Sequence, residues 1–338
     1  MSADSLAARS DAVRRGAGLF PLPKRGVIQV TGSERIRWLD GMLTNDVLAL
    51  EARGPGAGCH ALLLTPQGRI VVDLHVLLAA DSVWLELERD AIPTVIERLE
   101  RFLIADDVSL RDGTDTTVRL ALEGPRAAEV LAACAGRERE PGFSEHAWQD
   151  VQIGDVPVRV AGWAFTSGPG LQLFAPPDRR ESLVAALHRA GKPCGLVDGD
   201  AALLELLRIE AGTPWLGSEL DESVLPAEVR LDRAVSDTKG CYTGQEVVAR
   251  MRSRDRVRSL LVGLCLEGGD LPEPGAKIEV DGRPVGELTS AVRSPRFGAI
   301  ALGFVRREHA EPGTRVRVAG ADAQVSSLPF DEREAVPS

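Results

Sequence analysis

Apolar residues recur at alternate positions in short runs of the first half of the chain, which is typical of strands with one buried face. Between these runs, apolar residues three or four apart predict amphipathic helices. The predicted strands cover 26–31, 60–64, 69–79, 82–88, 118–124, 151–161 and 171–174. The predicted helices cover 91–102, 125–133, 178–190 and 199–211, and another follows the first strand. Because these elements alternate without a regular strand-helix-strand rhythm, the pattern favours α+β subdomains over a doubly wound sheet.

The helix after the first strand has Ile36, Leu39 and Met42 at helical spacing. Thr31 or Ser33 is its predicted N-cap, because a hydroxyl oxygen there can accept from the free amides of the first turn.

The pattern changes from about residue 257 onward. Short apolar segments there are separated by glycine and proline and show almost no helical periodicity. Such a texture predicts a small β-barrel or sandwich. We therefore predict an α+β region over 1–255, a β-domain over 256–330 and a loose tail over 331–338.

Composition narrows the class of protein. The chain has 338 residues, 44% of them apolar and 27% charged, and a net charge of −10. A nucleic-acid partner is not expected, because phosphate binding needs a net basic face. No apolar run is long enough to span a membrane, and the N-terminus lacks a secretory pattern, so a cytoplasmic location is expected. Five scattered cysteines without a C-x-x-C pair predict neither a disulfide framework nor a metal site.

The stretch KGCYTGQE, residues 239–246, carries the strongest chemical signal. Thr243 and Glu246 have the spacing of a capping box ahead of a helix. Cys241 therefore lies just before a helix N-terminus and near Lys239, where a thiol is acidified. The alternative is that Cys241 is a small buried hydrophobe. Spacing alone leaves both interpretations open.

KGCYTGQE resembles the signature of the YgfZ family, a branch of the glycine cleavage T-protein (aminomethyltransferase) superfamily. Three further segments resemble that superfamily in the expected order: MLTNDV at 42–47, TPQGRIVVDLHV at 65–76 and RIEAGTPWLGSELDESVLPAEV at 208–229. The resemblance implies three subdomains in a ring, two of them interleaved α+β units within 1–255, with tetrahydrofolate in the central hole. YgfZ proteins are folate-binding factors for the assembly or repair of iron–sulfur clusters, so iron–sulfur client proteins are the implied partners.

The resemblance also assigns residues to the folate. Glu210 matches the pterin-binding glutamate, whose carboxylate can accept two aligned N–H groups. The alternative is a helix-end residue paired with Arg208 or solvent. The folate-contacting arginine of the family falls on Lys239, which replaces a planar fork by a point charge. Tyr242 either fixes the turn or touches the ligand.

Asp73 matches the second of the family's paired aspartates, while Val72 stands where the first would be. The resemblance implies that this carboxylate serves as a proton relay at the folate nitrogens. Its alternative is an exposed aspartate on an alternating strand. Trp215 either stacks on the pterin or fills the core. His60 and His75, on apolar strands, are predicted to be core histidines.

Three functions are therefore compared. The first is a folate-binding factor for iron–sulfur proteins with Cys241 as its key residue. The second is a folate-dependent one-carbon transferase or demethylase that uses Asp73. The third is an RNA-remodelling module, which rests only on the arginine-rich run at 250–258. That run is otherwise a solvated helix end.

Overall fold

Three β-sheets organise the chain, and a computed structural model describes residues 5–137, 143–254, 257–268 and 270–330. Numbered in chain order, the α-helices of these residues are α1 Leu6–Arg15, α2 Arg35–Met42, α3 Leu48–Arg53, α4 Ile92–Glu100, α5 Ala127–Cys134, α6 Arg180–Gly191, α7 Ala201–Ala211 and α8 Gln245–Arg254. The chain thus mixes helices and strands in an α+β arrangement.

The first sheet has five strands in the order β3-β4-β5-β2-β6. Its strands are β2 Arg25–Thr31, β3 Gly58–Leu64, β4 Ile70–Leu78, β5 Val83–Glu88 and β6 Ser109–Asp112. The turn at 65–69 joins β3 to β4, as predicted, with Gly68 at φ +74°. Helices α2, α3 and α4 pack on this sheet through Leu39, Leu50 and Val95. Removal of these apolar side chains from water stabilises the packing.

The second sheet has six strands in the order β11-β1-β7-β10-β9-β8. Its strands are β1 Ala17–Pro21, β7 Val118–Glu123, β8 Trp148–Ile153, β9 Val156–Gly162, β10 Gly170–Ala175 and β11 Leu196–Asp198. Helices α5 and α6 cover one of its faces. The whole five-stranded sheet is inserted in sequence between β1 and β7, so the two units are interleaved.

The third sheet closes on itself as a barrel in the order β12-β15-β14-β13-β16-β17. Its strands are β12 Ser259–Leu266, β13 Lys277–Val280, β14 Arg283–Ser294, β15 Gly298–Arg306, β16 Arg315–Val318 and β17 Ala321–Ser326. Closure leaves no free sheet edge. The predicted boundary at 255–256 and the predicted tail at 331–338 lie outside the described residues.

Helix α7 connects the subdomains. Asp200 caps it by accepting from the Leu203 amide at 2.9 Å, and Gly212 ends it at φ +71°. Leu203 and Leu206 are buried against the α+β units, while the same helix contacts β14 of the barrel. Because α7 is apolar on more than one face, it holds α1, the sheets and the barrel together.

Two local predictions are wrong. Helix α2 is preceded by Glu34, which makes no side-chain cap bond, and the Ser33 hydroxyl donates instead to Asp107 Oδ2 at 2.7 Å. The run 151–161 is a hairpin of two strands that turns at Gly154, where φ is +59°. No helix of the described residues is long and apolar enough to cross a membrane.

Candidate functional site

A cavity of about 900 Å³ lies where the three subdomains meet. Strands β2, β3 and β4 form one wall, the segment 163–170 of the six-stranded unit forms another, and Leu261 of the barrel borders it. This volume lies in the range of small-molecule sites. A central cavity bordered by all three units is the architecture that the family resemblance implied.

Asp73 faces this cavity. In the β3–β4 hairpin His60 lies opposite His75, so Asp73, two residues from His75, is on the same face and diagonal to His60. His60 Nε2 and Asp73 Oδ2 are 3.4 Å apart, and the Asp73 side chain is 15% exposed. The alternative of an exposed aspartate is therefore wrong. Burial opposes ionisation, but the hydrogen bond and charge of His60, with the charge of Arg25, hold the pKa of Asp73 below its ordinary value.

Three of the chain's five histidines line the cavity. The His60 ring stacks on His75 at 4.7 Å, and His75 stacks on Trp163 at 4.1 Å. His146 Nδ1 is 3.3 Å from His75 Nδ1, and His146 adopts φ +60°. His60 and His75, predicted to be core histidines, are largely buried, but their rings also line the cavity. The rings stack rather than converge, and no group of His, Cys, Asp or Glu among the described residues has a metal-binding arrangement.

Burial keeps the rings of His75 and His146 neutral. Burial, reinforced by the charge of His60, lowers the pKa of His146 to about 3. Burial also lowers the pKa of His75 well below its ordinary value, and both neighbouring histidines add to this effect. Since both pKa values lie below physiological pH, one nitrogen of the His75–His146 contact carries the proton and the other accepts it.

A buried network of side-chain ion pairs lies next to the cavity wall. Glu86, fully buried on β5, accepts two bonds from Arg25 at 2.9 and 2.6 Å and one from Arg119 at 2.8 Å. Arg25 belongs to the five-stranded sheet and Arg119 to the six-stranded sheet. Burial opposes ionisation of Glu86, but the charges and hydrogen bonds of the two arginines together lower its pKa. The network therefore ties the two α+β units together beside the cavity.

Aromatic rings supply the apolar part of the cavity wall. Trp163, Phe165 and Trp215 all line it, and Phe165 meets Trp215 edge to face at 6.0 Å. The indole N–H groups of both tryptophans have no hydrogen-bond partner in the described part of the chain. Trp215, predicted to stack on a ligand or fill the core, contacts both the cavity and the neighbouring core. A flat ring with hydrogen-bond acceptors fits this wall.

Glu123 holds the loop that carries Trp163 and Phe165. Its carboxyl group accepts from the amides of Phe165 at 3.2 Å and Thr166 at 3.3 Å, from the Thr166 hydroxyl at 2.8 Å and from Gln172 at 3.4 Å. It makes no ion pair within the described residues. Burial therefore dominates these hydrogen bonds and raises the pKa of Glu123 from 4.5 to about 7.

This shift predicts a pH dependence of stability. Between about pH 4.5 and 7 the folded chain keeps a proton on Glu123 that the unfolded chain has released, so the free energy of unfolding falls as pH rises through this window. The loss approaches about 3 kcal/mol. Urea unfolding at pH 5 and pH 8 is expected to show a smaller difference for Glu123→Gln than for the wild-type chain. An exposed control, Glu129→Gln, keeps the wild-type dependence, and an unchanged dependence in Glu123→Gln contradicts this account.

Lys239 does not line the cavity. Its ammonium group donates to the main-chain oxygens of Asp40, Leu43 and Asn45, the last two at 2.9 Å, and pairs with the Asp40 carboxylate at 3.1 Å. The side chain is almost completely buried. Burial lowers its pKa, and the Asp40 contacts offset only part of that effect. Its folate role stays a prediction, but its N–H groups already bind the segment before β3.

The Thr44-Asn45 turn also contacts the segment that precedes KGCYTGQE. The Thr44 hydroxyl donates to the carbonyl of Ala234 at 2.6 Å, and the Asn45 amide donates to the carbonyl of Arg233 at 3.0 Å. Together with the bonds from Lys239 to Leu43 and Asn45, these contacts pack the segment 42–47 against both 233–234 and the start of 239–246. This contact fixes residues 229–234, which form the cavity mouth.

Tyr242 and Cys241 of KGCYTGQE differ in their exposure to solvent. Tyr242 is buried in the core beneath α8, where burial raises the pKa of its hydroxyl, and it is not in the cavity wall. Cys241 is exposed, so the alternative of a buried hydrophobe is wrong. Helix α8 begins at Gln245, whose side chain accepts from the Tyr242 amide at 3.3 Å. No bond between Thr243 and Glu246 is found among the described contacts, so the capping box is replaced by this Gln245 contact.

Glu210 lies outside the main cavity. Its carboxylate accepts two bonds from Arg14, at 2.7 and 2.5 Å, and one from the Ser294 hydroxyl at 2.6 Å. It borders a separate space of about 280 Å³. Neither Arg208 nor solvent is its partner, because Arg208 pairs with Glu219 at 2.7 Å and the Glu210 side chain is buried. Its pterin role stays a prediction without a free carboxylate to support it.

Several cavity residues were not singled out from the sequence. Arg25, His146 and Trp163 come from three separate segments that only the folded chain brings together. The available signal was the placement of His60 and His75 as polar residues within apolar strands, which was interpreted as core packing.

Comparison with known proteins agrees with this architecture. Residues 2–239 match the GCVT N-terminal domain, and residues 260–331 match the glycine cleavage T-protein C-terminal barrel domain. The chain belongs to the glycine cleavage T-protein family. The match to the N-terminal domain covers both interleaved units, and the barrel match covers the third sheet.

Relatives in this family are named as transferases. The aminomethyltransferase of Streptomyces coelicolor is 30% identical over 96% of this chain and 88% of its own length. An aminomethyltransferase of Thermus thermophilus is 33% identical over 94% and 88%. A putative chloroplastic transferase of Arabidopsis thaliana is 30% identical over 97% and 74%. The crystal structure of a Bartonella henselae aminomethyltransferase, 24% identical, superposes with a TM-score of 0.85 over 98% and 91%, which establishes the shared fold.

Proposed function

We propose that this T-protein family member binds a reduced folate in the central cavity and uses Asp73 in one-carbon transfer. The observation that carries this proposal is the Asp73 carboxylate, which faces a cavity of about 900 Å³ beside Trp163 and Trp215. The volume, the aromatic wall and an ionised acceptor suit a flat heterocycle with N–H donors. The aminomethyltransferase relatives support this class of chemistry.

A reduced folate carries one-carbon units on two of its nitrogens, one of which belongs to the pterin ring. In the proposed reaction Asp73 accepts the proton that a ring N–H loses as its nitrogen bonds to the incoming carbon. The bond from that carbon to its former carrier breaks, and the carrier leaves with the electron pair. Trp163 and Trp215 position the heterocycle and exclude water from the reacting nitrogen.

Calorimetry with tetrahydrofolate tests the binding step. We expect saturable one-to-one binding, accompanied by a change in tryptophan fluorescence, because two tryptophans line the cavity. Adenosine is a matched heteroaromatic control that lacks the reduced pterin, and it should give no such signal. Absence of any heat or fluorescence change with reduced folates contradicts the proposal.

A second candidate is the iron–sulfur support role of the YgfZ branch. The observation that favours it is Cys241, which is exposed although Lys239 and Tyr242 beside it are buried. A thiol presented in this way is accessible to a client protein. In a strain lacking the protein, Cys241→Ala should fail to restore iron–sulfur enzyme activities if this role holds. If Cys241→Ala restores them and Asp73→Asn does not, the transferase proposal is favoured.

A further inference from the structure

The cavity holds a carboxylate with one oxygen occupied and the other available. Asp73 Oδ2 is 3.4 Å from His60 Nε2, whereas Oδ1 makes no hydrogen bond to another side chain among the described residues. Both side chains are mostly buried, at 15% and 17% exposure for Asp73 and His60, and both line the cavity. The contact therefore fixes the direction in which the carboxylate can meet a ligand.

The His60 ring is held by neighbours that do not carry charge. It stacks on His75 at an interplanar angle of 19°, and His75 stacks on Trp163 at 15°. The contact between His75 and His146 fixes the second ring in turn. Stacked rings do not exchange protons through their faces, so the stack supports His60 mechanically rather than as a proton path.

The other charged or titratable groups near Asp73 are already engaged or neutral. Arg25 on β2 is bound to Glu86, and Glu88 on β5 pairs with Arg25 at 3.7 Å. His75 on β4 and His146 before β8 are neutral because burial lowers their pKa values. His60 on β3 is therefore the side chain that lies within hydrogen-bonding distance of the Asp73 carboxylate among the described residues.

We propose that His60 is the positioning residue of Asp73, which holds one carboxylate oxygen and presents the other to the N–H groups of the ligand. In this arrangement the His60 Nε2–H donates to Oδ2. The identity of the ligand rests on the proposed function, whereas the contact between His60 and Asp73 is a property of the ligand-free protein. The pKa of Asp73, held below its ordinary value by this contact against the effect of burial, agrees with the geometry.

The test compares His60→Leu, which removes the donor, with His60→Gln, whose amide keeps an N–H near the Nε2 position. The titration midpoint of Asp73 is measured in the ligand-free protein by carboxyl NMR with labelled aspartate, with the resonance assigned by its loss in Asp73→Asn. Affinity for tetrahydrofolate is measured at pH 6 and pH 8. His188→Leu, on α6 outside the cavity wall, is the matched control.

His60→Leu should raise the Asp73 midpoint and lower the affinity at pH 6 about tenfold or more, with partial recovery at pH 8. His60→Gln should keep the Asp73 midpoint and the affinity close to those of the wild-type protein. In an Asp73→Asn background, His60→Leu should cause little further loss of affinity. A wild-type midpoint in His60→Leu, or equal loss in Leu and Gln variants, overturns the inference. If the wild-type protein binds no reduced folate, the proposed function fails, while the NMR midpoint still decides the role of His60.

Discussion

Asp73→Asn is expected to weaken tetrahydrofolate binding about tenfold to a hundredfold and to reduce one-carbon transfer about a hundredfold or more. Asparagine keeps the size of the side chain and one acceptor oxygen, but it removes the negative charge and the ability to take a proton. The inner cavity wall offers no other carboxylate within the described residues, since Glu145 and Asp232 lie at the exposed mouth.

Calorimetry gives the affinity, and single-turnover assays with mass detection of the folate product give the transfer rate. Asp155→Asn, on the exposed turn between β8 and β9, is the matched control and should behave like the wild-type chain. Wild-type affinity and rate in Asp73→Asn would remove this residue from the site.

Glu86→Ala is expected to lower the free energy of unfolding by about 3 to 5 kcal/mol. The substitution leaves Arg25 and Arg119 buried without their shared carboxylate, and an uncompensated buried charge is costly. The effect should exceed that of an ordinary surface substitution because both arginines are less than a tenth exposed. Because Arg25 lines the cavity, ligand affinity should fall as well.

Urea unfolding followed by circular dichroism measures this change. Glu88→Gln on the same strand is the matched control, since Glu88 is partly exposed and lies 3.7 Å from Arg25. Its expected loss is below about 1 kcal/mol. A loss below about 1 kcal/mol in Glu86→Ala would mean that the network does not stabilise the junction of the two sheets.

The sequence predicted those elements in which apolar side chains alternate clearly or recur at helical spacing. Helix α4 is observed at Ile92–Glu100 against a predicted 91–102, and β4 at Ile70–Leu78 against 69–79. Elements with weaker patterns were missed. Helix α1 buries only Ser10 and Val13, and the edge strand β6 is largely exposed, so neither has a strong apolar period. Their positions depend on tertiary contacts.

For the site residues as well, local sequence patterns were informative and tertiary contacts were not predicted. Asp73 and Trp215 were found because the resemblance identified local segments, and both line the cavity. Lys239 was assigned to the ligand because the resemblance places the family's folate-contacting arginine at this position, whereas its partners, the carbonyls near residues 40–45, are distant in sequence. The partner of Glu210 was hidden for the same reason, since Arg14 lies 196 residues away. Long-range pairing is the information that local patterns lack.

The order of strands limits how the protein can be divided. The five-stranded sheet lies within one continuous stretch, from Arg25 to Asp112. The six-stranded sheet does not, because Ala17–Leu19 of β1 pair in parallel with Leu196–Asp198 of β11. Any continuous fragment that contains the larger sheet must therefore include the smaller one, whereas the smaller one can be excised without cutting its own strands.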